Sequence, residues 1–141
     1  MITNESTFNH KNSDYLKNWT KKKLPNNGFF ITDIDLFIRS KYGCFMIVEI
    51  KCKNSKLKTP QKISYEMLDY FGQELNNSKF NSKTLGFPIS VQYHGTHVLK
   101  FENTSFEDGK VYWDGNETTE EDVIKIMSFN GYCEECFKIC T

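Results

Sequence analysis

The chain has 141 residues, of which 38% are hydrophobic, 15% aromatic and 26% charged. This composition excludes disordered and fibrous proteins, and no apolar run approaches the roughly 18 residues that a membrane-spanning helix needs. The formal net charge is zero, but residues 1–62 carry +7 and residues 63–141 carry −7. This asymmetry is typical either of a phosphate-facing side or of solvated faces whose charges interleave.

The sequence begins at Met1, and its first ten residues lack the pattern of a signal peptide. We therefore expect one complete domain over residues 1–141, in a soluble, intracellular and cytoplasmic protein that does not bind a membrane.

The N-terminal half predicts a helix, two strands and a second helix. Residues 5–23 have helical spacing, and strand-like runs follow over Phe29–Arg39 and Cys44–Cys52. Thr59-Pro60 is typical of a helix start, with Thr59 as the expected cap, and Asn76-Asn77 is expected to end this second helix. The residues expected to form its buried stripe are Ile63, Met67, Tyr70 and Phe71.

The C-terminal half predicts three further strands, at 87–93, 96–102 and 110–113, and a final helix. Turns are expected at Gly95 and at Asp108-Gly109, and Thr118 with Glu121 has the spacing of a capping box. We expect Val123, Ile126 and Met127 of the final helix to face inward. The element order predicts an α/β (α+β) fold, with a central mixed β-sheet flanked by helices.

The loop between the first two strands decides which side chains lie opposite each other. A loop of Lys41, Tyr42 and Gly43 suits a type I turn that ends on a left-handed glycine. That turn places Asp35 directly across from Glu49 on one face of the hairpin. A loop shorter by one residue would turn Asp35 to the other face, so the position of the glycine favours the first register.

Glu49 and Lys51 lie in an apolar strand, where an unpaired charge is costly to bury. In the favoured register two carboxylates lie close together with a lysine beside them. A hard cation such as Mg²⁺ relieves the repulsion between two carboxylates and is bound by oxygen ligands. Such an ion can activate water and polarise a phosphoryl oxygen, so the pattern indicates phosphodiester hydrolysis.

Asp35 followed by Glu49-x-Lys51 at the end of an apolar strand resembles the active-site signature of the PD-(D/E)xK nuclease superfamily, which has a restriction-endonuclease-like fold. Gln61 and Tyr65 resemble the QxxxY motif of its RecB-like and lambda-exonuclease-like branch, in a helix that follows the strand as in that branch. The resemblance covers about residues 29–70. Ile34 stands where many members have proline, and the acidic residue on the branch's first helix has only Glu5 or Asp14 as a candidate.

The resemblance implies a nuclease that depends on Mg²⁺ or Mn²⁺ and cleaves DNA, with RNA not excluded. Asp35, Glu49 and the backbone carbonyl of Ile50 would bind the metal, Lys51 would assist catalysis, and Gln61 and Tyr65 would line the site. A homodimer is expected if two strands are cut by one site each. Endonuclease and exonuclease action both stay open, as does the role of residues 80–141.

Three alternatives stay open. Asp33 is a second candidate for the metal ligand or for a partner of Lys51. Cys133, Cys136 and Cys140 near the C-terminus, with His94 and His97, form a weaker zinc hypothesis because their spacing does not match a closed four-ligand site. The rival function is a catalytically inactive nuclease fold, used as a regulatory or inhibitory module of phage or mobile-element origin that binds nucleic acid or protein.

Overall fold

The computed structural model describes residues 10–25, 28, 30–130 and 134, and the side chains from residue 14 onward. The chain forms two compact units, residues 1–33 and residues 34–141. The first unit contains helix α1, His10–Lys23, which confirms the predicted first helix over the residues that the structure describes. None of the helices in the described ranges is long and apolar enough to cross a membrane.

The second unit is built on a five-stranded sheet, and the predicted α+β class is confirmed. The sheet is mixed, because β2 and β5 run parallel while the other neighbouring pairs run antiparallel. Its strands, in spatial order, are β1 (Leu36–Arg39), β2 (Cys44–Cys52), β5 (Gln92–Phe101), β6 (Val111–Trp113) and β7 (Asn116–Thr118). A small hairpin pairs β3 (Lys79–Asn81) with β4 (Pro88–Ser90). Two helices complete the unit, α2 (Thr59–Leu75) and α3 (Glu120–Met127).

The register predicted for the first hairpin is confirmed. The ladder pairs Leu36 with Val48 and Arg39 with Phe45, as the loop of Lys41, Tyr42 and Gly43 requires. Gly43 has a φ of +94°, the left-handed conformation that the turn demands.

The first predicted strand is too long, because β1 begins only at Leu36 rather than at Phe29. One residue earlier, the side chain of Asp35 accepts a hydrogen bond from the backbone N–H of Ile50. If the ladder continued, the N–H of Ile50 would bond the backbone of Ile34, the residue opposite it. The Asp35 carboxylate accepts from this N–H instead, and the ladder ends there.

The two helices of the second unit lie on opposite faces of the sheet. Side chains alternate along β2, so Met46 and Val48 join the core that packs against Val123 of α3, whereas Glu49 faces Tyr65 of α2. The buried core residues are Cys44, Met46, Val48, Leu99, Phe101, Val111, Trp113, Val123 and Phe129. Val123, with Ile126 and Met127 partly buried beside it, faces inward as predicted.

The predicted buried stripe of α2 is wrong. Its four residues are more than half exposed: Ile63 51%, Met67 56%, Tyr70 62% and Phe71 53%. The helix instead buries Tyr65 and Gly72. The face of α2 that lies against the sheet is the one whose side chains make polar contacts with it. Hydrogen bonds to the sheet, and not apolar periodicity, therefore set the orientation of α2.

The predicted helix starts are also displaced. Lys58, and not Thr59, occupies the N-cap of α2, where its side chain makes no capping bond. Thr119, rather than Thr118, caps α3 by accepting from the N–H of Asp122. The predicted end of α2 is confirmed, because Asn76 is its C-cap.

The turn predicted at Gly95 is wrong, because β5 runs through this residue. Gly95 has a φ of +95° and lies where the register between β2 and β5 shifts, which is the geometry of a β-bulge. The turn predicted at Asp108-Gly109 lies in the bent loop between β5 and β6, where the Asp108 carboxylate accepts hydrogen bonds from the N–H groups of Thr104 and Ser105. Short strands β3 and β7 were not predicted.

Gly72 allows α2 to approach the sheet. A Cβ at this position would lie 2.4 Å from the Tyr93 ring, and that ring is held because its hydroxyl bonds Asp69 and Thr96. We expect Gly72→Ala to lower the free energy of unfolding by about 1–3 kcal/mol, despite the better helix propensity of alanine. Urea denaturation measures the change, and Gln73→Ala on the exposed side of the same helix should be nearly neutral.

His97 bridges β5 and the β6–β7 turn. Its Nδ1 is 2.6 Å from an Asp114 carboxylate oxygen and its Nε2 is 2.6 Å from the carbonyl oxygen of His94. Both ring nitrogens face acceptors, which favours the doubly protonated ring. Burial alone would lower the pKa of His97, but the bonds to Asp114 and to the His94 carbonyl outweigh it, with a further contribution from the Asp69 charge, and the pKa is raised.

This raised pKa predicts that stability falls as the pH rises. The contribution of His97 is complete below its unfolded pKa of about 6.5 and is lost as the pH passes through the higher folded value. We expect His97→Gln to lower the free energy of unfolding by about 1–3 kcal/mol at pH 6 and by less at pH 9. Urea denaturation at both pH values checks this, and an equal loss at both would contradict it.

Candidate active site

Asp35 and Glu49 meet on one face of the first hairpin, as the predicted register requires. Asp35 immediately precedes β1, and Glu49 lies in β2 at the position across from it. An Asp35 carboxylate oxygen accepts from the N–H of Ile50 at 2.8 Å, and the two carboxyl groups lie close enough for each to shift the pKa of the other.

Glu49 is the hub of the site. It is only 3% exposed, and it is the one charged residue buried among the described residues. Its Oε1 accepts from the Gln61 amide at 2.7 Å and lies 2.9 Å from the Lys51 ammonium. Its Oε2 accepts from the hydroxyl of Tyr65. The structure therefore brings Lys51, Gln61 and Tyr65 together around Glu49.

The spacing of α2 explains how two of its side chains reach one carboxylate. Gln61 and Tyr65 are four residues apart, hence one helical turn apart on the same face. Asp69 continues this face by another turn, and its carboxylate accepts from the N–H of Thr96 at 3.0 Å and from the hydroxyl of Tyr93. One polar face of α2 is thus bound to two strands, β2 and β5.

The two carboxyl groups differ in acidity. Burial, opposed by the Ile50 N–H and reinforced by the negative charge of Glu49, raises the pKa of Asp35. Burial would also raise the pKa of Glu49, but the hydrogen bonds from Tyr65 and Lys51, together with the positive charge of Lys51, outweigh it and hold that pKa below its usual range. The surroundings therefore favour the ionised carboxylate more strongly at Glu49 than at Asp35.

Tyr65 stays protonated at every physiological pH. Burial and its hydrogen bond to Glu49, reinforced by the negative charges of Glu49 and Asp35, raise the pKa of its hydroxyl. The hydroxyl is thus a permanent donor that fixes the orientation of the Glu49 carboxylate.

The carbonyl of Ile50 points to the same side of β2 as Asp35. The N–H and C=O of one strand residue face the same side, and the Ile50 N–H is bound by Asp35. Two carboxylates and one carbonyl therefore offer hard oxygen ligands, the kind that Mg²⁺ prefers. No group of three or more His, Cys, Asp or Glu side chains in the described ranges could hold a metal ion. Mg²⁺ is nevertheless commonly held by one or two carboxylates, together with water and substrate phosphates, so this set fits it.

The alternatives from the sequence have different outcomes. Asp33 forms an ion pair with Lys17 within the first unit, whereas Lys51 pairs with Glu49. Cys133, Cys136 and Cys140 lie outside the described residues, so the zinc hypothesis stays untested. Of its two histidines, His97 bonds Asp114.

Sequence reasoning did not find Asp69, although a signal was present. Gln61, Tyr65 and Asp69 recur at intervals of four, which marks a polar helix face directed toward the sheet. The apolar residues of α2 favour the opposite face as the buried one, which is why the prediction chose that face.

Comparisons with protein families, with curated proteins and with solved structures found no significant match for this chain. The geometry of the second unit is therefore the basis of the functional argument.

Removing one donor tests how strongly Glu49 depends on its partners. Tyr65→Phe leaves a buried carboxylate oxygen without its hydroxyl donor, so we expect the pKa of Glu49 to rise and the free energy of unfolding to fall by about 1–3 kcal/mol. Urea denaturation and a carboxyl-detected NMR titration measure the two effects. Tyr70→Phe on the exposed side of α2 serves as the matched control, and equal losses in both variants would contradict the prediction.

Proposed function

We propose that the protein is a metal-dependent nuclease that hydrolyses phosphodiester bonds in DNA. The observation that carries the proposal is the cluster around Glu49, a buried carboxylate that lies across the hairpin from Asp35 and beside a lysine. Burying these charges is costly, and such clusters of perturbed carboxylates are concentrated at functional sites.

In this proposal Asp35, Glu49 and the Ile50 carbonyl hold Mg²⁺ or Mn²⁺. The ion supplies an acidified water and neutralises charge on the phosphate. Other groups of the protein orient the two carboxylates that would bind the ion. The Ile50 N–H orients Asp35, while Gln61 and Tyr65 orient Glu49. Preorganised ligands need little rearrangement when the substrate arrives.

In this proposal Lys51 acts on the phosphate. Its side chain is 17% exposed and lies on the same face of β2 as Glu49. In hydrolysis a water oxygen bonds to phosphorus, the ester oxygen leaves with a proton, and negative charge builds up on the phosphoryl oxygens. The ammonium group stabilises that charge and helps to orient the attacking water.

DNA as the substrate rests on the resemblance to PD-(D/E)xK nucleases of the QxxxY branch. A homodimeric assembly rests on the need for two sites if each site cuts one of two strands. The meeting of Gln61 and Tyr65 with Glu49 supports that resemblance beyond the motif spacing alone. RNA stays an alternative substrate, because the proposed phosphodiester chemistry is common to DNA and RNA.

A second candidate function is a catalytically inactive fold that binds nucleic acid or protein. One observation favours it: both oxygens of Glu49 are already engaged by donors from Gln61, Lys51 and Tyr65. Such a satisfied carboxylate can serve as a purely structural link between α2 and the sheet.

Digestion of labelled single-stranded, linear duplex, circular and branched DNA with Mg²⁺ or Mn²⁺ tests the proposal. We expect cleavage that a chelator abolishes and that Lys51→Ala slows by about 10²-fold or more, because it removes a charge aimed at the transition state. Lys53→Ala changes an exposed lysine two residues further on and should leave the rate nearly unchanged.

Asp35→Asn separates the two functions. A nuclease loses cleavage and Mn²⁺ binding in this variant, which isothermal titration calorimetry can follow independently of activity. Cleavage that persists in chelator would refute the metal-dependent mechanism, and equal rates for the two lysine variants would refute the role of Lys51. No cleavage by the folded protein would favour the inactive binding module.

A further inference from the structure

An apolar pocket with a volume of about 780 Å³ opens beside the cluster around Glu49. Its size lies within the range of about 300–1,000 Å³ that is typical of ligand sites. The walls come from β1, β2, α2 and the β3–β4 hairpin, all within the second unit. Residues that define it include Phe37, Phe45, Ile47, Leu68, Phe71 and Phe80.

The pocket begins where the candidate active site ends. Ile47 lies two residues before Glu49 on the same face of β2, a separation of about 7 Å along the strand. On α2, Leu68 lies about one turn beyond Tyr65. The facing elements that hold the carboxylates therefore continue directly into the pocket walls.

The pocket is aromatic. Phe37 and Phe45 stack with ring centroids 5.6 Å apart, and Phe45 lies 4.9 Å from the ring of Tyr93. Phe37 and Phe71 are 57% and 53% exposed, so flat surfaces remain accessible to a ligand. Exposed aromatic rings are the surfaces on which unpaired nucleobases stack.

The charges around the pocket suit a polyanion. The charged residues that line it are Arg39 and Lys41, and no Asp or Glu is among its described lining residues. The β3–β4 hairpin adds Lys79 and Lys83, and residues 75–101 contain no acidic residue. The basic side chains that line the pocket would attract a phosphate backbone that crosses its rim.

We propose that this pocket binds an unpaired nucleobase next to the phosphate held at Asp35 and Glu49, so that the substrate is single-stranded or frayed DNA. This inference rests on the proposed nuclease function and specifies its substrate class. A base inside a duplex is already stacked and paired, and it enters such a pocket only after it is flipped out. An unpaired base enters without that cost.

Fluorescence anisotropy in the presence of chelator measures binding separately from cleavage. The probes are a labelled oligothymidine, an abasic strand of the same length and a blunt duplex. We expect the wild-type protein to bind the oligothymidine about tenfold more tightly than the abasic strand. Phe71→Ala should reduce this ratio about fivefold or more, while Tyr70→Ala, the adjacent aromatic outside the pocket, should preserve it.

Phe37→Ala provides a second variant, on β1, should the helix variant fold poorly. Equal binding of the thymidine and abasic strands, tighter binding of the duplex, or equal effects of Phe71→Ala and Tyr70→Ala would overturn the inference. Sedimentation gives a further test. If the wild-type protein is a dimer that Phe71→Ala dissociates, and base-dependent binding is unchanged, the inference is overturned because a second copy of the chain then covers the pocket. Cleavage without base-dependent binding would support the nuclease function and overturn the base-binding role of the pocket. Base-dependent binding without cleavage would support the base-binding role and overturn the nuclease function.

Discussion

A buried negative charge constrains the whole second unit. Glu49 lies in the middle of an apolar sheet with 3% of its surface exposed, where an uncompensated carboxylate would cost several kcal/mol. Three groups compensate it: the amide of Gln61, the hydroxyl of Tyr65 and the ammonium of Lys51. Two of these groups belong to α2, so the charge determines which face of that helix meets the sheet.

The first hairpin turn supports this arrangement from the other side. Gly43 has a positive φ, and a Cβ at this position would lie 1.6 Å from the backbone oxygen of Ser90. Only glycine therefore satisfies both the turn and the approach of the β4 end. The turn sets the register, the register aligns Asp35 with Glu49, and the Asp35 carboxylate in turn ends the β1–β2 ladder by taking the Ile50 N–H. A local backbone requirement thus leads directly to the geometry of the site.

The sequence predicted what short-range geometry determines. Counting residues across the loop at Gly43 was sufficient for the register, and a spacing of four was sufficient to place Gln61 and Tyr65 on one face. Prediction failed where a distant contact decides. The orientation of α2 depends on bonds from Asp69 to Tyr93 and Thr96, in a strand more than twenty residues away. Apolar spacing carries no information about those bonds.

The orientation of α2 links the carboxylate cluster to the pocket. Since the polar face of the helix is committed to Glu49, Tyr93 and Thr96, its apolar residues cannot all be buried, and Phe71 remains half exposed. On a merely structural helix, such exposure would be a liability for solubility. Phe71, however, lines a pocket that adjoins the carboxylates and whose charged lining residues are basic. The same hydrogen bonds that compensate the buried charge therefore also present an aromatic surface beside it, which favours a shared role for both in binding one extended, negatively charged substrate.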